Sequence, residues 1–243
     1  MPRQIIAVTS LAREALIARG SGVFVVCSQG SRLAAALNEA IGPRVFGIIS
    51  FGMSGGLHPE LAAGDWVVAS AVRYGDRVFK TDSKWTQELA KRLPGALLAD
   101  VVGSDVLMPT PVDKAHLYRA MGAAAVDMES HIAAEIAAMH RIPFASCRVV
   151  IDSAQRTLPP GTIHALDSNG AVDVLAVTRS VIQAPAQFPD LMRVAFDAYL
   201  AERALRKGRK RLGAGFGSPF FNERVAELEF AGKPDVLVQA PSR

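Results

Sequence analysis

The sequence predicts an α/β fold with three layers, α/β/α, in which helices cover both faces of a central twisted sheet that is mixed but mostly parallel. Short apolar runs alternate with stretches of helical spacing along the 243 residues, and the connections between them are brief. This alternation is typical of strand–helix–strand units, which place parallel strands in one sheet. Half of the residues are apolar, which is enough for the core of one large domain.

The first half of the chain supplies these elements in regular order. Strands are predicted at residues 5–8, 23–27 and 45–50, with helices at residues 11–19 and 32–41 between them. Apolar runs at residues 66–72 and 78–80 flank Tyr74, Gly75 and Asp76, a sequence typical of a hairpin turn. A helix at residues 84–93 ends before Pro94 and Gly95.

The second half continues the pattern. Strands are predicted at residues 96–102 and 144–151, and a short apolar run at 124–126 leads into a helix at 128–140. Further helices are predicted at residues 114–121, 172–183 and 190–207. Glycines 213, 215 and 217 follow the last helix, so we predict a domain of residues 1–212 and a flexible tail of residues 213–243.

Composition and charge exclude several classes of protein. No apolar run reaches the roughly 18 residues of a membrane-spanning helix, and the N-terminus lacks a secretory signal pattern, so we expect a cytoplasmic protein. Cys27 and Cys147 are too few for a disulfide framework or a metal site. Six cations lie within residues 203–211, and without them the net charge of +4 becomes −2. That pattern is not the broad basic face of a nucleic-acid binder. It is either a solvated helix end or a patch for anionic lipid, that is, a peripheral membrane contact.

Carboxylates stand where predicted strands end. Glu129 and Asp152 follow apolar runs, and Glu14 opens the first helix, where a Glu is also an ordinary partner of the helix dipole. Ligands of open α/β sheets bind at this edge. Glycine-containing turns are predicted at residues 28–31 and 51–57, and neither matches a dinucleotide fingerprint or a P-loop.

Four segments in this order and spacing resemble the purine nucleoside phosphorylase and nucleosidase superfamily. They are residues 50–57 (SFGMSGGL), 64–68 (GDWVV), 126–129 (VDME) and 148–152 (RVVID), and the resemblance covers roughly residues 3–183. Residues 127–134 (DMESHIAA) and 158–160 (LPP) are most similar to the hopanoid-associated branch, whose members are thought to release adenine from adenosylhopane. The resemblance implies a nucleoside phosphorylase-like fold.

The resemblance also implies roles for site residues. Asp152 would protonate or hydrogen-bond N7 of the leaving adenine, and Glu14 would activate water. Glu129 would accept hydrogen bonds from the ribose hydroxyls and favour a cationic transition state. Met128 would pack against the sugar, although a core role is equally open to it. Asp127, Ser54 and Gly55 complete the predicted substrate-binding residues.

The choice between hydrolysis and phosphorolysis depends on the segment after the first strand. Phosphorylases of this superfamily usually carry a glycine-containing loop with an Arg there, whereas this chain has no glycine and places Glu14 there, which favours water. No metal or cofactor is expected, although inorganic phosphate stays open as a co-substrate, with Arg13, Arg32 and Arg73 as possible ligands. Two residues depart from the family, Ile151 where Ser is common and Gln155 where Asp is common.

The resulting hypothesis is a nucleosidase that cleaves the N-glycosidic bond of a purine nucleoside, with lipid-linked adenosylhopane as the expected substrate. The alternatives are a methylthioadenosine/adenosylhomocysteine nucleosidase, a phosphate-dependent purine nucleoside phosphorylase, or a nucleotide-binding module without activity. Tyr74, Phe79, Met108 and the helices after Val172 are candidates for an apolar channel or for core packing. A homo-oligomer of unspecified size is expected from the resemblance.

Overall fold

The computed structural model describes residues 4–158 and 188–221. The helix predicted at residues 172–183, the two prolines at 159 and 160, and the tail beyond Phe221 lie outside the described residues. The strands are β1 (Gln4–Thr9), β2 (Val23–Cys27), β3 (Val45–Gly56), β4 (Trp66–Tyr74), β5 (Arg77–Lys80), β6 (Leu97–Gly103), β7 (Ala125–Asp127) and β8 (Phe144–Asp152). The helices are α1 (Ala12–Ala18), α2 (Gly30–Ala40), α3 (Ser83–Arg92), α4 (Pro111–Met121), α5 (Ser130–Met139) and α6 (Phe188–Leu212), and a short 3₁₀ segment, Ala214–Gly217, follows.

The strands form one mixed sheet, part of which closes on itself. β2, β1 and β3 are parallel neighbours, and β3 then pairs with both β7 and β8. β7 continues to β6, β6 to β4, and β4 back to β8, so that β3, β7, β6, β4 and β8 make a closed ring. β4 and β5 form the predicted antiparallel hairpin. The predicted α/β class with a mixed sheet is confirmed.

Alternation along β1 explains the three layers. Ile5 and Ala7 point into a core formed with α1, α3 and α6, whereas Ile6 and Val8 point into a second core formed with α2 and α5. Successive side chains of a strand face opposite sides of the sheet, so a strand that is apolar at every position is buried on both faces. Burial of these apolar side chains stabilises the stack by about 1.5–3 kcal/mol for each large one.

The glycine-rich residues after Ser50 were expected to form a loop, and this expectation is wrong. β3 runs on through Gly56. A Cβ at Gly52 would lie 2.6 Å from Oε1 of Glu14 and 2.8 Å from Nη1 of Arg148. Because glycine has no side chain, the strand continues between these two charged groups without a clash.

The end of the predicted domain at Leu212 also needs correction. Residues 213–217 were expected to open a flexible tail, but Phe216 is fully buried against Phe51, with the ring centroids 4.9 Å apart. Its carbonyl accepts a 3.1 Å hydrogen bond from Nε1 of Trp85. The positive φ angles of the neighbouring glycines allow the tight turn that inserts Phe216. The packed part of the chain therefore includes this segment.

None of the helices within the described ranges is long and apolar enough to cross a membrane. The same residues contain no cluster of His, Cys, Asp and Glu side chains that could hold a metal ion. Cys27 and Cys147 are both free thiols.

Candidate active site

Strand register brings the predicted site residues to one end of the sheet. Gly55 of β3 pairs with Val126 of β7 on one side and with Asp152 of β8 on the other. The chain leaves β7 at Asp127 and enters α5 at Ser130, so Met128 and Glu129 lie in the connection between them. The ends of three strands thus meet beside Gly55.

Glu14 is held by backbone amides at the start of α1. Its Oε2 accepts hydrogen bonds from the amides of Ser10 and Leu11, both at 3.1 Å, and its Oε1 accepts a 2.7 Å bond from the amide of Met53. The side chain is almost fully buried. Glu14 is therefore both a helix-capping residue, as the dipole interpretation expected, and a carboxylate fixed against the β3 backbone.

Arg148 is a functional candidate that the sequence reasoning missed. It is fully buried on β8, and its Nη2 donates to Oγ of Ser50 at 2.5 Å and to Oε2 of Glu129 at 3.5 Å. Its Nε lies 2.9 Å from Oδ2 of Asp127, in an ion pair whose angle is too poor for a hydrogen bond. A buried guanidinium needs carboxylates around it, so an Arg inside the apolar run 144–151 was the available signal.

Glu129 has an environment that disfavours its charge. Burial raises the pKa of Glu129 to about 8, and the Asp127 and Glu14 carboxylates act in the same direction, while Arg148 opposes them. Three carboxylates therefore share one guanidinium. The group can hold a proton near neutral pH, which is unusual for a Glu.

Asp127 was predicted to bind substrate, but both oxygens of its carboxylate contact other groups of the protein. Its Oδ1 accepts hydrogen bonds from the amides of Glu129 at 2.9 Å and Ser130 at 2.7 Å. Its Oδ2 accepts from the Ser130 hydroxyl and contacts Arg148. These contacts cap α5 and position Glu129 and Arg148, so we interpret Asp127 as a positioning residue. Direct contact with substrate stays a prediction.

Asp152 is paired with a second residue that the sequence reasoning missed, Lys114 of α4. Both side chains are buried, and Nζ of Lys114 donates to Oδ2 of Asp152. Burial raises the pKa of Asp152, and the Lys114 ammonium acts against that rise. A Lys in the first turn of a helix opposes the helix dipole, which was a weak signal of a special role. Ile151, which cannot donate a hydrogen bond to the neighbouring Asp, packs against the core instead.

A surface cavity opens beside Asp152. It is lined by residues of β3, the segment after β6, β7 and β8, namely Gly55, Val106, Leu107, Met108, Val126, Asp127, Met128 and Asp152. The cavity thus brings together four of the candidate site residues, Asp152, Gly55, Asp127 and Met128, and Met128 is exposed. Glu14 and Glu129 belong to the adjacent Arg148 cluster, defined here as Glu14, Asp127, Glu129 and Arg148, and do not line this cavity.

Several other predicted residues lie elsewhere. Ser54 is buried, and its hydroxyl has no hydrogen-bond partner in the part of the chain that the structure describes. Tyr74 stacks on His131 and Phe79 lies beneath Arg77, so of the proposed channel residues only Met108 lines the cavity within the described ranges.

The three arginines considered as phosphate ligands are not in the cavity wall. Arg13 pairs with Glu202 at 2.8 Å, and Arg73 with Asp100 at 2.6 Å. Arg32 is exposed on α2. Gln155, the other departure from the family pattern, donates to the carbonyl of Pro59 at 3.1 Å.

The architecture defines a class, the nucleoside phosphorylase/nucleosidase-like α/β fold. A family model described as the Phosphorylase superfamily matches residues 99–184. Among solved structures, the chain is similar to a 5′-methylthioadenosine/S-adenosylhomocysteine nucleosidase from Helicobacter pylori, at 13% identity and a TM-score of 0.61 over 87% of this chain and 97% of that one.

Two further solved structures agree. Futalosine hydrolase of Helicobacter pylori has 14% identity and a TM-score of 0.60 over 86% of this chain and 95% of that one. A methylthioadenosine/S-adenosylhomocysteine nucleosidase from Colwellia psychrerythraea, solved in complex with adenine, has 17% identity and a TM-score of 0.59 over 87% and 96%. No curated protein matches the sequence. At these identities the structural likeness shows the fold.

Proposed function

We propose that the protein cleaves the N-glycosidic bond of a purine nucleoside, with water as the nucleophile. The observation that carries this proposal is the placement of two buried carboxylate centres along β3. Gly55 of this strand faces Asp152 in the cavity, and Met53 binds Glu14 in the Arg148 cluster. The similar solved structures include two kinds of nucleosidase, and one of them holds adenine, which supports the same chemistry.

The reaction breaks the bond between ribose C1′ and N9 of the base, and the electron pair of that bond stays on the base. Asp152 would donate a proton or a hydrogen bond to N7, which makes the base a better leaving group. Glu129 would accept from the ribose hydroxyls. In its ionised form, which predominates above its pKa of about 8, its negative charge would also favour the cationic sugar of the transition state. Met128 would pack against the sugar.

Water would then complete the reaction at C1′. Glu14 would accept the proton that water loses as its oxygen bonds to C1′. Oε2 of Glu14 accepts from three amide or hydroxyl donors, while Oε1 accepts from one amide, that of Met53. A carboxylate can accept a further hydrogen bond at such an oxygen.

Water suits this site better than phosphate. Phosphate needs cations and amides that are not already committed. The buried Arg148 is already engaged by Asp127 and Glu129, and Glu14 would repel a phosphate anion placed beside it. Phosphorolysis remains the alternative, and the observation in its favour is the Ser54 hydroxyl, which has no hydrogen-bond partner among the described residues.

For the substrate we propose a lipid-linked adenine nucleoside of the adenosylhopane type. Three apolar side chains from the segment after β6 form one cavity wall, Val106, Leu107 and Met108. Val106 and Leu107 are exposed large hydrophobic residues, so they can contact an apolar 5′ substituent. The smaller methylthio group of methylthioadenosine would use the same wall and is the second candidate.

A base-release assay tests the reaction. Purified protein is incubated with adenosylhopane, methylthioadenosine or inosine, with and without phosphate. We expect free adenine without phosphate and a loss of about 100-fold or more in Asp152→Asn, since general acid catalysis contributes that much. Asp76→Asn, in the exposed β4–β5 turn, is the matched control and should retain full activity.

The other outcomes decide between the alternatives. Base release only with phosphate would replace the hydrolase by a phosphorylase. Release from methylthioadenosine alone would exclude the lipid-linked substrate. Binding of adenine nucleosides without release from any of them would favour a binding module.

We also propose that the protein meets its substrate at a membrane through one face of α6. The face carries exposed Met192, Phe196 and Tyr199, and then exposed Arg203, Lys207 and Lys210. These positions follow helical spacing, so they lie along one stripe of the helix. Apolar residues followed by cations suit an interface with anionic lipid. Arg209 is buried and Arg206 pairs with Glu202, so fewer of the six cations are available than the sequence suggested.

A further inference from the structure

Lys114 is a buried charged residue to which the proposed reaction assigns no role. Besides Oδ2 of Asp152, its Nζ donates to the carbonyl of Ser153 at 2.8 Å and to the carbonyl of Arg156 at 3.3 Å. An ammonium has three donors, and all three are engaged. The side chain is fully buried on α4. Burial of such an ion is costly without a partner, and Asp152 is the charged partner it has.

The other charges around Asp152 have partners of their own. Arg156, in the segment after β8, contacts Asp197 of α6 through Nε at 2.9 Å and Nη2 at 2.6 Å. Arg156 and Asp197 act on Asp152 in opposite directions and more weakly than Lys114. Among the residues that the structure describes, Lys114 is the cation hydrogen-bonded to Asp152, and it opposes the effect of burial more strongly than Arg156 does.

We propose that Lys114 is a positioning residue for Asp152, which fixes the orientation of the carboxylate in the cavity wall and determines at which pH it carries a proton. A Cβ at Gly55 would lie 3.5 Å from Oδ1 and 3.7 Å from Oδ2, so the carboxylate as a whole faces this glycine, and of its two oxygens Lys114 engages Oδ2. Oδ1 is therefore the oxygen offered to a ligand. The catalytic consequence of this electrostatic coupling between Lys114 and Asp152 rests on the proposed function. The coupling itself does not.

The coupling has a direction that does not depend on which form of Asp152 is active. Burial raises the pKa of Asp152 and Lys114 opposes this rise. Without the ammonium, only the weaker effect of Arg156 opposes burial, and the carboxyl titrates at higher pH, by about one to three pH units. If the reaction needs protonated Asp152, the variant keeps its activity up to a higher pH than wild type does. If the reaction needs ionised Asp152, activity of the variant begins at a higher pH than activity of wild type. The pH profile therefore moves to higher pH in both cases.

The test compares four proteins: wild type, Lys114→Met, Lys114→Arg and the control Lys91→Met, which changes an exposed lysine of α3. The carboxyl carbon of Asp152 is titrated by ¹³C NMR on aspartate-labelled protein and assigned with Asp152→Asn. The pH profile of base release is recorded alongside. We expect the NMR titration and the activity profile both to shift to higher pH in Lys114→Met. Both should stay near those of wild type in Lys114→Arg and Lys91→Met.

An Asp152 titration in Lys114→Met that coincides with wild type would overturn the proposal. If the Met variant does not fold, Lys114→Gln replaces it, because its amide can still donate to the two carbonyls but carries no charge. A purely structural role would lower stability in both neutral variants without moving either curve, which also overturns the proposal. If wild type releases no base from any nucleoside, the proposed function fails, and the NMR titration still decides the coupling.

Discussion

The Arg148 cluster concentrates more negative charge than its single guanidinium can balance. Glu14, Asp127 and Glu129 all act on Arg148 and raise its pKa against the effect of burial. Two of these carboxylates have several amide or hydroxyl donors, Glu14 and Asp127. Glu129 has a 3.5 Å contact with Arg148, so the uncompensated charge falls on it. This residue is where pH should act on the site.

We predict that Glu129 makes the protein less stable as pH rises. Its pKa is about 8 in the folded protein, against 4.5 as the ordinary value, so the folded state binds the extra proton between these limits. The contribution of this proton to the free energy of unfolding is complete below about pH 4.5. It is lost as pH rises through 8, by at most about 1.4 kcal/mol per pH unit.

Urea unfolding at several pH values between about 5 and 8.5 measures this effect in wild type and Glu129→Gln. The stability of wild type relative to the variant should fall as pH rises. Glu39→Gln, on the exposed side of α2, should follow wild type at every pH. A constant difference between wild type and Glu129→Gln across this range would contradict the raised pKa.

The sequence revealed the carboxylates of the site better than its cations. Glu129 and Asp152 were found because charged residues follow apolar strands, and they do lie at that sheet edge. Arg148 and Lys114 were missed because their partners are distant in sequence or on another element. An ion pair between β8 and α4 depends on packing that periodicity alone does not determine.

Two glycine-rich segments behave differently from a simple loop. In β3, glycine permits the strand to pass Glu14 and Arg148. After α6, glycine permits the turn that places Phe216 against the core. The sequence showed both segments, but it could not show which neighbouring atoms would approach them. Glycine alone therefore predicted flexibility where the structure has close packing.

We predict that Phe216→Ala destabilises the protein by about 3–5 kcal/mol, because it removes a fully buried ring. The guanidinium of Arg209 lies over the ring, 4.3 Å from its centroid. The smaller side chain would leave this guanidinium beside the space that the ring had filled. Urea unfolding measures the change. Phe196→Ala, on the exposed face of α6, is the matched control and should change stability by less than about 0.5 kcal/mol. Equal stability of Phe216→Ala and wild type would restore the domain end at Leu212.

For the whole molecule, the order of strands and helices could be predicted but the closed ring could not. Alternating apolar and helical stretches gave a sheet covered by helices, as found. The antiparallel pairs of β3 with β7 and of β4 with β8, which close the ring, join strands far apart in sequence. Such pairing depends on side-chain packing rather than on local pattern. The ring is also what brings Asp152 and Glu129 to the two sides of β3.

The stripe of exposed apolar and basic residues along α6 predicts how the molecule is oriented toward a membrane. If the α6 face contacts lipid, the protein should sediment with vesicles that contain phosphatidylglycerol and much less with phosphatidylcholine alone, and salt should weaken binding. Phe196→Ala combined with Tyr199→Ala removes apolar contact, and Lys207→Glu with Lys210→Glu reverses two charges. The charge reversal should reduce binding about tenfold or more, since one cation near the surface contributes about 1 kcal/mol. Loss of the two aromatic side chains should also weaken binding, because their apolar area no longer inserts into the interface. The exposed lysines of α3 provide the control, Lys84→Glu with Lys91→Glu, which should bind as wild type does. Equal binding to both kinds of vesicle, or none at low salt, would exclude this face as an anionic-lipid contact.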